Sequence, residues 1–481
     1  MKRTDGLLLA NAILGQFLSG FASRIFIVSL PTIAAALHAD IIDISWALIA
    51  YQLAGISLSV VFGRLGDLHG RYAIYGGGFA IVAVSSLLCG LAPNVSALIG
   101  FRAVQGIGAA MIASAARVLA LESMPEGSEG RTSGYMTMAF HSGLLLGPPA
   151  GGLVVDLVGW RWIFFLLAPV AVAGVALTAA RAGRQRSQRA SAPISIDYLG
   201  AALLVALTVM LSVLLDQRAA RMIGTAPKAM MALAFAAAAV GFVAHERRAP
   251  DPVVNLSLFR IRMFAFSVLS LLLIATATSM ATFLMPFYLQ DVLGLSPSFM
   301  GLVFLAAPIF TITCATMSGR LTDRVGPRLP ASIGVLATLA AFAIGPFLTM
   351  RSSWIWPAAL LGLTGLGSGF FNAPNQTAII VSVPREYRGF ATGMVQTLFG
   401  VGSLLGISLA GVLLTILFRY HSRNPEARPG AADPPAFVSS MNAIYLVCIA
   451  LTVWALLASL MRGREKIGAA GQVGAAGSQQ S

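Results

Sequence analysis

Gly63-Arg64-Leu65-Gly66-Asp67-Leu68-His69-Gly70-Arg71 is a polar turn between two long apolar stretches, and it returns farther along as Gly319-Arg320-Leu321-Thr322-Asp323-Arg324-Val325-Gly326-Pro327-Arg328. A second pattern repeats at almost the same distance: Gly134, Gly143, Gly147 and Gly152 come back as Gly393, Gly402, Gly406 and Gly411 with the same internal spacing. Two separated patterns displaced by nearly one distance mark a duplicated half. Outward from these repeats the chain is a series of apolar segments, most of them near the ~20 residues that span a bilayer as a helix. We read fourteen of them. Six lie in each repeated half, from 8–36 to 161–180 and from 263–289 to 440–461, and two lie between the halves, at 198–215 and 228–245. The first follows Lys2 and Arg3 as a secretory leader would, but it runs past Leu30 and is followed by further spans, so it reads as a retained helix.

Composition agrees with this reading. Of the 481 residues, 57% are apolar and 10% charged, against roughly 25% charged in a soluble domain, and mean hydropathy is +0.82. No water-soluble fold hides that much apolar surface, which makes the chain an all-α polytopic membrane protein. The strands of a membrane barrel would give short alternating segments instead of unbroken runs such as 163–180. The net charge of +14 resides in basic residues between the apolar segments, where they act as topology signals and not as a nucleic-acid surface. With both termini placed in the cytoplasm, most of the 32 Lys and Arg fall inside, including Arg181, Arg184, Arg186, Arg189, Arg247, Arg248, Arg260 and Arg262. Arg218, Arg221 and Lys228 form one cluster on the other side.

The cysteines (Cys89, Cys314, Cys448) and histidines (His38, His69, His141, His245, His421) are scattered without metal-ligand spacing, so no metal centre is expected. None of the three lysines, Lys2, Lys228 and Lys466, follows a glycine-rich phosphate loop, so neither an ATP site nor any other cofactor is expected. The domain plan is a six-helix bundle at 1–181, a linker with two extra helices at 182–262, a second six-helix bundle at 263–466, and a disordered Gly-, Ala- and Ser-rich tail at 467–481.

The stretch Gly63 to Arg71 closely resembles the cytoplasmic loop between helices 2 and 3 of the major facilitator superfamily. The resemblance implies a gate built from Gly63, Asp67, Gly70 and Arg71, repeated at Gly319 and Asp323. Physically, glycine permits close approach of a neighbouring backbone, and Asp67 can accept from a facing helix N-terminus or pair with Arg71. Leu98, Arg102, Gln105, Gly106 and Gly108 look like that superfamily's buried-arginine motif in the fourth helix. Gly134, Gly143, Gly147, Pro148, Gly151 and Gly152 resemble its exporter-associated pattern in the fifth, where a glycine groove lets helices pack and Pro148 frees a carbonyl so that the helix can bend.

Trp46, Tyr51, Gly159 to Trp162, Asp197 to Gly200, Glu246 to Pro252, Leu258 to Arg260, Tyr288 to Gln290 and Gly294 look like the fourteen-helix drug:proton antiporter family, over nearly the whole chain. This resemblance implies a secondary active exporter of small amphiphilic molecules, proton-coupled, working by alternating access in the cell membrane, with a binding cavity between the halves; a monomer is expected to be functional. One position departs from the family. The usual aspartate, about nine residues before Leu30-Pro31, is Ala22, and two residues later stands Arg24.

Arg24, Arg102 and Arg117 are the ionised residues expected within the spans. Arginine stays protonated, so each needs a partner or water. Substrate or coupling roles are therefore expected for Arg24, Arg102, Gln105 and His141, with backbone carbonyls or nearby glutamines as the competing partners. His141 is the mid-membrane group whose ordinary titration lies near neutral pH. An alternative to proton-coupled drug export is transport of small organic anions without a carboxylate in the first helix. A membrane-embedded enzyme is a distant alternative, since the acidic residues avoid the membrane interior. Met280, Phe283, Met285, Phe287, Phe370, Phe371, Asn372, Asn375 and Gln376 could line an adaptable pocket, but such a stripe is more often helix packing.

Overall fold

A bilayer offers no water to unpaired backbone groups, so each apolar segment must close its hydrogen bonds internally as a helix. The computed structural model describes residues 6–124, 129–182, 225–248, 256–384, 388–422 and 433–462, with separate positions between 199 and 214. The first set of helices is α1 (Gly6–Val28), α2 (Leu30–Ala36), α3 (Ile41–His69), α4 (Arg71–Gly90), α5 (Val95–Glu122), α6 (Glu129–Val158) and α7 (Trp162–Ala182). After α8 (Thr225–Glu246) come α9 (Arg262–Phe287), α10 (Pro297–Phe304), α11 (Ala306–Val325), α12 (Arg328–Ile344), α13 (Ile355–Val381), α14 (Arg388–His421) and α15 (Pro434–Met461). No strand occurs among the described residues, and 11 helical stretches are long and apolar enough to cross a membrane. The span expected at 198–215 falls outside the described residues apart from those separate positions.

Two expected segments are broken. The helix expected at 8–36 stops at Val28 and restarts at Leu30, because Pro31 has no N–H to give and its ring opposes the Ile27 carbonyl. Ser29 N turns to the Phe26 carbonyl instead, at 3.1 Å. The segment expected at 299–318 divides at Leu305 into α10 and α11, and α9 runs on into a π-helical turn at Tyr288–Val292.

Helices α1 to α7 pack with one another, α1 along α6, α3 along α5, and α4 along α5 and α7. Helices α9 to α15 repeat the plan: α9 lies along α14, α11 along α13, and α12 along α13. The glycine repeat marks this correspondence in space. A side chain at Gly147 would meet Arg24 Cβ at 2.9 Å on α1, and one at its counterpart Gly406 would meet Ser279 Cβ at 2.8 Å on α9. The two halves therefore share one architecture, and they touch through α6 on α10, α3 on α14, and α2 on α9. Helix α8 packs on no other described helix to a comparable extent and exposes the apolar side chains of Met230, Leu233 and Val240.

The two polar repeats fold alike. Gly70 (φ 99°) ends α3 and Gly326 (φ 82°) ends α11, in a backbone region that residues with a side chain seldom enter. Gly70 N donates to Gly66 O at 3.0 Å and Gly326 N to Thr322 O at 2.9 Å. At the opposite end Trp162, Phe347, Trp354, Trp356 and Tyr420 are exposed, an aromatic belt suited to a bilayer interface.

Candidate functional site

Helix α1 is the hub of the first half. It packs on α5, α6 and α7 and reaches α9 and α10 of the other half. A side chain at Gly143 would strike the Phe17 carbonyl, one at Gly147 would come within 3.1 Å of Ile25 N, and one at Gly151 within 2.9 Å of Ile25 O. These glycines let α6 lie directly on α1, and α6 continues through Pro148 and Pro149 without a break. Arg24 is half-buried at this contact and makes no hydrogen bond, ion pair or ring contact with the described residues. His141, on α6, is half-buried too, with its ring edge-on to Phe140 at 5.8 Å.

Arg102 has a different environment. It is fully buried on α5, with its guanidinium 4.3 Å from the Phe26 ring centroid and 4.2 Å from that of Tyr51. Nε donates to the Ala47 carbonyl at 3.3 Å and Nη1 to Gln105 Oε1 at 2.6 Å, while Gln105 Nε2 donates to Ser86 Oγ at 2.7 Å. Two aromatic faces and two acceptors compensate a desolvated cation, yet Nη2 is left without an acceptor. Arg102 and Gln105 thus lie inside the packed first half and bind α1, α3, α4 and α5 together. The side chain of Arg117 lies outside the described residues.

At the turn ends, Arg71 Nη1 meets Glu122 Oε1 at 2.5 Å, tying the start of α4 to the end of α5. A side chain added at Gly63 would find only Ser114 Cβ, at 3.9 Å, and one at Gly319 would find open space. The side chains of Asp67 and Asp323 lie outside the described residues.

The halves are joined at the other end. Asp156 Oδ2, on α6, accepts from Ser298 N of α10 at 2.8 Å, while Ser296 Oγ accepts from Phe299 N at 3.2 Å. Thr32 of α2 and Gln290 of the π-turn bond to each other at 3.0 Å. A side chain at Gly152 would strike the Pro297 carbonyl, and one at Gly301 would meet the Pro148 carbonyl at 2.5 Å. Thr32, Asp156, Gln290 and Ser298 were not expected as site residues. One signal lies in the sequence: Asp156 is four residues after Gly152, hence on the same face of α6.

The candidate pocket residues Met280, Phe283, Met285 and Phe287 are all buried in packing. Asn375 serves structure, its Nδ2 donating to the Ser267 carbonyl at 3.1 Å. Asn372 and Phe370 are half-buried and Gln376 exposed. Among the described residues no group of His, Cys, Asp and Glu could hold a metal ion.

Against known proteins, a family profile described as the Major Facilitator Superfamily matches residues 12–407 and 267–479. The uncharacterized transporter YebQ of Escherichia coli (strain K12) is 30% identical over 440 residues, 91% of this chain and 92% of that protein. The tetracenomycin C resistance and export protein of Streptomyces glaucescens is 32% identical over 416 residues, 85% of this chain and 75% of its own length. Among solved structures, a bacterial homologue of the human lysosomal transporter Spinster superposes with a TM-score of 0.66 at 15% identity, covering 95% of this chain and 98% of that one.

Proposed function

Because the chain belongs to the major facilitator superfamily, we propose that it exports small amphiphilic molecules across the cell membrane by alternating access, driven by proton movement. It is a membrane transporter and not an enzyme. The observation that carries the proposal is the placement of the joints between halves. The described hydrogen bonds and glycine contacts across the boundary, at Thr32, Gly152, Asp156, Gln290, Ser298 and Gly301, lie at the end remote from the Gly70 and Gly326 turns. A molecule clasped at one end can expose the space between its halves to only one side of a membrane at a time.

With both termini in the cytoplasm, as the basic loops favour, the clasped end faces outward and the intervening space faces the cytoplasm, the side from which an exporter loads. The relative named for resistance and export supports that direction. One chain contains both halves, so a monomer suffices. The gate is assigned to Gly63, Asp67, Gly70, Arg71, Gly319 and Asp323. The coupling proton is assigned to His141, half-buried on the helix that spans the joint, since imidazole ordinarily titrates near neutral pH.

Purified protein in vesicles carrying a pH gradient, offered anionic, neutral and cationic amphiphilic dyes, tests the reading. At least one dye class should move against its gradient only while the pH difference persists, and His141→Gln should remove that dependence. Failure of every class to move would overturn export. Movement by the parent indifferent to the pH difference would overturn proton coupling alone.

A further inference from the structure

At the boundary between the halves stands a charge, Arg24, that none of the described residues answers. Helix α1 is enclosed by α5, α6 and α7 and touches α9 and α10, and beyond its first turns no residue of it is exposed. It therefore has no lipid face at the level of Arg24. The solvent-accessible part of this half-buried side chain must open into the gap between the halves.

Arg24 stands about 27 Å along the helix from Gly6 and about 12 Å short of Thr32, which puts it deep in the membrane. At that depth a guanidinium stays protonated and is costly unless water or an anion solvates it. The described carboxylates of the first half do not reach it. Asp40 and Asp43 start α3, Glu122 is bound to Arg71 at the end of α5, and Asp156 holds Ser298 N at the clasp. Asp291 of the second half follows Gln290, the partner of Thr32, and so sits at the clasp as well. Arg102, stacked on Phe26 of α1, the helix that carries Arg24, adds a second positive charge that no described carboxylate pairs with.

We propose that Arg24 is the counter-charge for the transported molecule, and that the substrates are amphiphilic organic anions, an apolar body bearing a carboxylate or a similar planar oxyanion. A guanidinium presents paired N–H groups that match a carboxylate two to two, which favours that head group over a diffuse anion. A fixed positive charge at Arg24, with no described carboxylate beside it, selects against lipophilic cations by repulsion. The inference rests on the export reading and deepens it.

The test separates binding from transport. Carboxyfluorescein is the anionic probe, the diamide of its di-O-methyl ether, which bears no ionised oxygen, the neutral analogue and ethidium the cation. Equilibrium binding is measured on the full-length protein in detergent, and flux in vesicles. The variants are Arg24→Gln, Arg24→Lys and Arg24→Glu; glutamine keeps the methylene groups that pack beside Gly147, and thermal melting of each variant verifies folding. The parent should bind carboxyfluorescein at least tenfold more tightly than the diamide or ethidium. Arg24→Gln should lose that preference, Arg24→Lys should retain a measurable part of it, and Arg24→Glu should reverse it toward ethidium. Equal binding of all three probes by the parent, or a folded Arg24→Gln that keeps the preference, would overturn the proposal. Ethidium flux without carboxyfluorescein binding would overturn the anion site and leave export standing. Arg24-dependent carboxyfluorescein binding without flux of any probe would support the site and overturn export.

Discussion

Removing the Asp156 carboxylate should loosen the clasped end by a measurable amount. In Asp156→Ala, Ser298 N loses its acceptor across the boundary. A hydrogen bond to a charged group contributes about 1.5–3 kcal/mol when shielded. Asp156 is exposed, so solvent screening brings this to about 1 kcal/mol. At 1.4 kcal/mol per factor of ten, the ratio of open to clasped molecules should rise about fivefold. Thr32→Ala removes a neutral bond of about 1 kcal/mol at a separate point. Because the two bonds bear on one equilibrium, their effects should multiply to about thirtyfold in the double variant. Spin labels at Leu157 and Phe347, both well exposed at that end and on opposite halves, report the open and clasped populations by electron–electron distance measurement. An unchanged distance distribution in the double variant would refute the clasp, and a fall in the open population would refute its sign.

Three further outcomes are expected. Gly152→Val should place carbon against the Pro297 carbonyl, forcing the halves apart, so transport should fail while membrane expression stays near normal; normal flux would show that α10 can yield. Arg102→Leu should lower thermal stability by about 2–4 kcal/mol by emptying the space between Phe26 and Tyr51 and stranding Gln105, and a melting temperature equal to the parent's would mean that the sandwich adds nothing. Asp67→Asn, and a bulky residue at Gly63, should slow transport without reducing insertion, since that turn biases a conformational equilibrium and does not hold the halves together; rates equal to the parent's would leave it a topology signal.

What the sequence made legible was set by constraints that act along the chain. The bilayer fixes helix length and composition, so apolar segments could be bounded to a few residues, and the duplicated glycines announced that α6 and α14 are matching, closely packed helices, while their partners α1 and α9 came only from the structure. Local proline effects were harder to read: the break at Ser29 depends on how the chain answers Pro31, and the sequence permits either a kink or a restart. Arg102 could be placed beside Gln105 by helical spacing. Its aromatic faces come from Phe26 and Tyr51 on two other helices, and nothing in local spacing points to them. The clasp was illegible for the same reason, since Thr32 with Gln290 and Asp156 with Ser298 join residues that only the packed halves bring together.

The start of α10 determines what each opening of the clasp does to the helix itself. A helix begins with backbone donors that have no partner inside it, and here Pro297, the first residue, has none to offer. Ser298 and Phe299 come next, one served by Asp156 from the opposite half and the other by Ser296 from its own. When the halves separate, water replaces a single acceptor while the Ser296 cap stays in place, so the first turn has no reason to unravel. The positive end of the helix then remains formed and aimed at the returning carboxylate. Opening and reclosing therefore exchange one partner for water and back, without any refolding in the cycle, and the joint can be used at every turnover.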